Sequence, residues 1–159
     1  MRPALLKWMV IMAALASLET LARAAPVPKD AKAIEACIAT ATPSRRDACI
    51  GIVANPCLDA DTGTTAGMNG CLDREYVIWD AWLNRDYALY RNKLAEDGKA
   101  LLKEVEQLFI ALKDKRCAFD YAVNGGGTMY STTNAQCRMD ETARQWIWVR
   151  AHLDEMNGN

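Results

Sequence analysis

Leu72, Tyr76, Trp79, Leu83, Tyr87, Tyr90 and Leu94 recur at steps of 4, 3, 4, 4, 3 and 4. That spacing puts all seven on one face of a helix. Thr64 or Thr65 can cap its start, and Asp97-Gly98 supplies a stop. From Thr65 to Glu96 such a helix would run about 48 Å at ~1.5 Å per residue. The next helix is expected from near Lys99. Leu101, Val105, Leu108 and Leu112 make one row on it; Ile110, Asp114, Cys117 and Tyr121 make a second on nearly the opposite face. Two rows predict contact on both sides and a central place in the fold. The short gap at Asp97-Gly98 predicts that these two helices lie antiparallel. Asn124-Gly125-Gly126-Gly127 ends the second, because three glycines lose too much backbone freedom in a helix. Thr132 or Thr133 can cap a last helix, which includes Ala143, Trp146, Ile147, Arg150 and Leu153.

Upstream, the pattern is shorter. Residues 25–29 read as an extended leader, and Asp30 can cap a helix to about Ala41. Thr42-Pro43 stops it and starts another, with Ser44 and Asp47 placed as a reduced capping box. That second helix is expected to end near Asn55-Pro56, since the residue before proline avoids the helical region. Residues 58–64 form a loop rich in turn formers. Neither strand alternation nor an internal repeat stands out, so the reading is all-α: a small helical bundle with a long antiparallel helix pair and a C-terminal helix.

The first 24 residues change the picture of where the chain works. Arg2 and Lys7 form a positive start, Trp8 to Leu18 is apolar apart from Ser17, and Ala22-Arg23-Ala24 fits a small-x-small cleavage pattern. Residues 1–24 are therefore read as a signal peptide, too short in its apolar run for a comfortable membrane span. With no cysteine at the cut, the product is expected to be soluble in the periplasm or secreted. Loss of Arg2, Lys7, Arg23 and Glu19 moves the formal charge from −1 to −3. A net negative chain argues against nucleic acid, which needs a basic patch. It suits a cationic protein partner.

All six cysteines (Cys37, Cys49, Cys57, Cys71, Cys117 and Cys137) lie beyond the cut. An even number in an oxidising compartment points to three disulfides. Zinc fits poorly, because there is no C-x-x-C pair and His152 is the single histidine. Six cysteines allow 15 connectivities. The local set Cys37–Cys49, Cys57–Cys71 and Cys117–Cys137 is preferred, with crosslinked disulfides as the crosslinks of the bundle.

Catalytic chemistry finds little support. His152 has no serine or free cysteine placed to use it, and no pair of carboxylates is marked as flanking a cleft. Asn124 to Thr128 lacks the lysine and the preceding strand of a phosphate loop. No cofactor or metal site is read. Trp79 and Trp146 fall on core stripes, whereas Trp82 and Trp148 lie off them and are candidates for exposed contact. Asp80 flanks the first stripe, and Asp114 lies within a row of its helix. With Glu75, Asn84 and Arg144, and Lys113 nearby, they are read as a structural polar network holding the helices in register.

Two stretches carry a family resemblance. Residues 67–94 (GMNGCLDREYVIWDAWLNRDYALYRNKL) present Cys71, Glu75, Asp80, Leu83, Asn84 and Tyr87 in order. Residues 109–117 (FIALKDKRC) keep Asp114 and Cys117. Gly126-Gly127-Thr128-Met129, Cys137 and Thr142-Ala143-Arg144 follow. The chain resembles the LprI-like lysozyme-inhibitor family of exported bacterial proteins. Phe109 stands where the family has tryptophan, and Lys113 where it has arginine. The resemblance implies a helical domain over residues 57–156, preceded by an N-terminal helical extension at 25–56. It also implies a non-catalytic protein-binding role with a lysozyme as partner. The alternative is a periplasmic structural or assembly factor that uses the long helix as a docking surface. The Gly125–Asn134 segment, read as a loop pinned between Cys117 and Cys137, is the candidate contact, with Thr128, Met129 and Tyr130 as its leading residues.

Overall fold

The computed structural model describes residues 26–60, 63–123 and 125–158. The signal-peptide reading falls outside them. Among the described residues there are five α-helices and no strand: α1 (Pro28–Thr40), α2 (Ala54–Ala60), α3 (Thr65–Lys93), α4 (Glu96–Val123) and α5 (Thr128–Met156). A 3-10 segment, Pro43–Cys49, lies between α1 and α2. The fold is all-α.

α3 starts where its cap places it. Thr64 Oγ1 accepts the Gly67 N–H at 3.0 Å, which satisfies one of the orphan donors of the first turn. Its end comes earlier than Asp97-Gly98 suggested. The chain leaves the helix at Leu94, with extended backbone, and α4 begins at Glu96. Gly98 thus sits in the first turn of α4. Its missing Cβ matters there, since an added one would lie 3.3 Å from the Leu94 side chain.

α4 is not the central helix. The tight joint makes α3 and α4 neighbours in sequence, but α5 is packed against both. Asn69 meets Ser131, Asp86 meets Trp146 and Tyr90 meets His152, so α3 and α5 run parallel. Gln145 meets Glu106 and Cys137 meets Cys117, so α5 is antiparallel to α4. α5 takes the middle because it buries side chains on two sides. Met139, Ala143, Trp146 and Val149 join the core with α3, while Thr142 receives Lys113 from α4. On α4 the inward row is Leu102, Phe109, Lys113 and Cys117. Leu101, Leu108 and Leu112, expected inside, are exposed.

The core is built around tryptophan. Trp79, Trp82 and Trp146 form a triangle with ring centroids 5.2 to 5.4 Å apart, the Trp79–Trp82 pair edge to face. Trp82 is therefore core-packed rather than a free platform. Trp148 is partly exposed and rests against His152. Residues 26–60 share this core through Ile34, Val53 and Ala54. Pro56 does not end a helix. It lies in the first turn of α2, where its missing N–H leaves no bond unmade. Three disulfides pair Cys37 with Cys49, Cys57 with Cys71 and Cys117 with Cys137.

Candidate functional site

The residues expected to form one polar network separate into distinct roles. Glu75 is fully buried and caps α2. Its carboxylate accepts the N–H groups of Gly51 (2.7 Å), Val53 (2.9 Å) and Ala54 (2.8 Å), and the Trp79 indole N–H (2.8 Å). These are orphan donors at a helix start, where negative charge is favoured. Gly51 supports the arrangement with a φ of +91°, and a Cβ there would strike the Asn55 side chain. Asn84 donates to the Asp80 carboxylate at 3.0 Å and to its carbonyl at 2.8 Å, one turn away on the exposed side.

Asp114 and Arg144 belong elsewhere. Asp114 is 55% exposed and faces Arg138 at 4.0 Å. Arg144 is exposed and pairs with Glu141 at 3.3 Å and Asp140 at 3.8 Å. The buried cation is Lys113, one residue before Asp114, whose Nζ lies 3.4 Å from Thr142 Oγ1 and 5.2 Å from the Phe109 ring. A shift of one residue turns a side chain by about 100° on a helix, enough to move Asp114 outward. Between α4 and α5, burial raises the Glu106 carboxyl above its ordinary pKa, opposed by the Gln145 hydrogen bond. Burial likewise raises Asp140, opposed by Gln136.

Asp86 was missed as a candidate. It is fully buried and accepts the Trp146 indole N–H at 2.8 Å and Arg85 at 2.6 and 3.1 Å. The Arg85 guanidinium is correspondingly held above its ordinary pKa, chiefly by that hydrogen bond. The signal was present in the stripe. Trp79, Leu83, Asp86 and Tyr90 also run at steps of 4, 3 and 4. Nearby, a cavity of about 400 Å³ is walled by Arg46, Arg85, Arg150 and Trp82. Each of its guanidiniums already holds a carboxylate: Arg46 on Asp154 at 2.9 Å, Arg85 on Asp86, Arg150 on Asp154 at 2.8 Å. Its charges tie the 3-10 segment and α3 to α5.

The segment between Cys117 and Cys137 is not the loop expected from sequence. Among the described residues of this segment only Gly125, Gly126 and Gly127 are irregular, and Thr128, Met129 and Tyr130 form the first turn of α5. Gly125, Gly126 and Gly127 take φ values of +72°, +76° and +118°, which side chains rarely adopt. The Gly126 N–H returns to the Tyr121 carbonyl at 3.0 Å, closing the end of α4. Gly126 also lies under the Tyr121 ring, where a Cβ would come within 3.2 Å of its hydroxyl.

This turn is a firm, apolar tip. Tyr121, Val123 and Met129 are exposed, Met129 by 72%, and Thr128 is exposed beside them. Tyr130 is half-buried. The Cys117–Cys137 bridge, Asn134 donating to the Cys117 carbonyl at 2.6 Å, and Ser131 donating to the Thr128 carbonyl at 2.6 Å hold it. Asn69 donates to Ser131 at 3.2 Å and ties the tip to α3. From Tyr121 to Gln136 the sequence has no charged residue. Exposed apolar side chains on a cross-linked turn offer surface on which another molecule could pack. Among the described residues no helix is long and apolar enough to cross a membrane.

No curated protein and no solved structure matches this chain. The family model described as "Lysozyme inhibitor LprI" matches residues 57–147, a span that holds α3, α4, the glycine turn and most of α5. The chain belongs to the LprI lysozyme-inhibitor family.

Proposed function

We propose that this protein is an exported, non-catalytic inhibitor that protects the bacterial envelope by closing the sugar cleft of a lysozyme with its α4–α5 tip. The observation that carries the reading is the exposed, uncharged tip of Tyr121, Val123, Thr128 and Met129, pinned by Cys117–Cys137 inside the family-matched span. A cleft that binds polysaccharide offers hydroxyl-binding groups and apolar floors for sugar faces. Tyrosine and threonine side chains on a cross-linked turn present matching surface at little ordering cost, and methionine adds an adaptable apolar contact. The net negative charge of the mature sequence would draw it towards a cationic enzyme and speed encounter.

The alternative of α3 as a docking helix is less well supported. Leu72, Trp79 and Leu83 of its stripe are buried in the core. The deciding experiment is a titration of purified protein, lacking residues 1–24, into lysozymes of several types with cell-wall hydrolysis as the readout. Dose-dependent loss of hydrolysis is expected for at least one type. Full hydrolysis at micromolar protein across all types would remove the reading.

A further inference from the structure

α4 carries an apolar row in which Leu101, Leu108, Leu112 and Phe119 are exposed, while Val105 is half-buried beside Tyr90 and Trp148. Its contact with α5 runs through Leu102, Phe109, Lys113 and Cys117. About 100° round the helix, Leu101, Val105, Leu108, Leu112 and Phe119 recur at steps of 4, 3, 4 and 7. Leu101 is 62% exposed, Leu108 71%, Leu112 55% and Phe119 62%. Alternating steps of 3 and 4 form a heptad seam, the pattern of a helix that packs against another helix along its length. Lys115 takes the one seam position between Leu112 and Phe119 that is not apolar.

The charges beside this seam choose both the occupant and its direction. Glu104 flanks it near the start and Lys115 stands near its end, while Arg116 is held by Glu141 of α5 at 3.0 Å. If a second copy is laid antiparallel about an axis level with Ile110, Leu101 faces Phe119 and Leu108 faces Leu112. Glu104 then comes within about one residue of level with Lys115 of the other copy, on the same side of the seam. A parallel pairing would instead set Glu104 beside Glu104 and Lys115 beside Lys115, which is repulsive. The seam therefore complements itself in one orientation, the condition for a two-fold interface. We propose that this row is the interface of a reversible antiparallel homodimer, α4 against α4.

The seam is about 27 Å long at ~1.5 Å per residue, and a single helix is about 10–12 Å wide. That footprint is smaller than the roughly 800 Å² per partner of stable complexes, so the dimer forms at micromolar rather than nanomolar concentration. Val123 and Met129 lie beyond the seam, so the two glycine turns would project from opposite ends of the pair.

Sedimentation velocity on the protein lacking residues 1–24, from about 1 to about 500 µM, tests this. A monomer–dimer equilibrium is expected. The doubly substituted Leu108→Glu, Leu112→Glu protein should weaken it by about a hundredfold or more, with an unchanged far-ultraviolet spectrum because both positions are exposed. Glu104→Lys alone should weaken it, and adding Lys115→Glu should restore it. A monomer at every concentration would overturn the proposal and leave the row to a different protein. A dimer that survives the Leu108 and Leu112 changes, or a charge exchange that fails to restore association, would overturn it equally.

Discussion

Trp79 donates its indole N–H to the fully buried Glu75 carboxylate at 2.8 Å, one turn earlier on α3. The same carboxylate gathers the N–H groups of Gly51, Val53 and Ala54. One side chain therefore ties the tryptophan core to the start of α2, so the segment before residue 57 is coupled to the family-matched domain. Glu75→Gln keeps the size but turns an amide N–H towards donors. Unmade buried bonds cost about 1–3 kcal/mol each, so a loss of about 3 kcal/mol is expected, lowering Tm by roughly 10 °C. Thermal unfolding followed by circular dichroism measures it; a Tm within about 2 °C of the parent would deny Glu75 this role.

Asp86 makes the corresponding bond from α3 to α5. Asp86→Ala should leave Trp146 N–H without its acceptor and Arg85 without its carboxylate. Arg85 is half exposed and water can take over its guanidinium, so the cost is that of the orphaned buried indole N–H, about 1–3 kcal/mol. Asp86→Asn can still accept from Trp146 and should fall between that variant and the parent. Chemical denaturation of the three proteins gives the order, and an Asn variant as unstable as the Ala variant would contradict the indole bond.

Acid dependence should come from the α4–α5 interface. Burial raises the folded pKa of Glu106, so between its ordinary value and the raised one the folded state holds more protons than the unfolded state. The stability this group contributes is present below that window and is lost as the pH rises through the folded pKa. Asp140 acts in the same sense. Glu106→Gln keeps a polar group for Gln145 and removes the desolvated charge. It should melt above the parent at pH 7 and show less decline from acid to neutral pH. A Tm profile parallel to the parent's would contradict it.

The tip depends on its crosslink. Replacing both Cys117 and Cys137 with serine opens a bridge between residues 20 apart. The expected loss is about 3 kcal/mol for a loop of that order. Hydrogen exchange should rise first at Thr128–Asn134, where the Asn134 bond to the Cys117 carbonyl loses its anchor. Exchange that increases evenly over all helices would argue that the bridge supports the fold generally.

How much of this was legible in the sequence differs from helix to helix. The α3 stripe could be read because Leu72, Trp79 and Leu83 are large, apolar and regularly spaced, and they are buried. The family span could be read because Cys71, Glu75 and Cys117 keep their order. Asp86 was hidden by its chemistry, since a charged residue in a stripe is usually assigned to the water side. The place of α4 could not be read from periodicity, because Leu101, Leu108 and Leu112 have the pattern of a core row yet remain exposed. A stripe records that a face is apolar and says nothing of what covers it. The glycine turn was found, but the helix after it starts at Thr128, four residues before the expected Thr132 cap. Gly127 supplies the start without a side-chain cap, so no capping residue marked the place.

The central claim is that the α4–α5 tip blocks lysozyme. The most direct measurement is an inhibition titration against one susceptible lysozyme with the parent and with Val123→Asp and Met129→Asp. Both positions are exposed, so neither change should alter thermal unfolding. A charge placed in a desolvated contact should raise the inhibitory concentration by at least about tenfold, equal to ~1.4 kcal/mol. Inhibition by the parent with that loss in both variants is the predicted result. Equal inhibition by all three proteins would contradict the account.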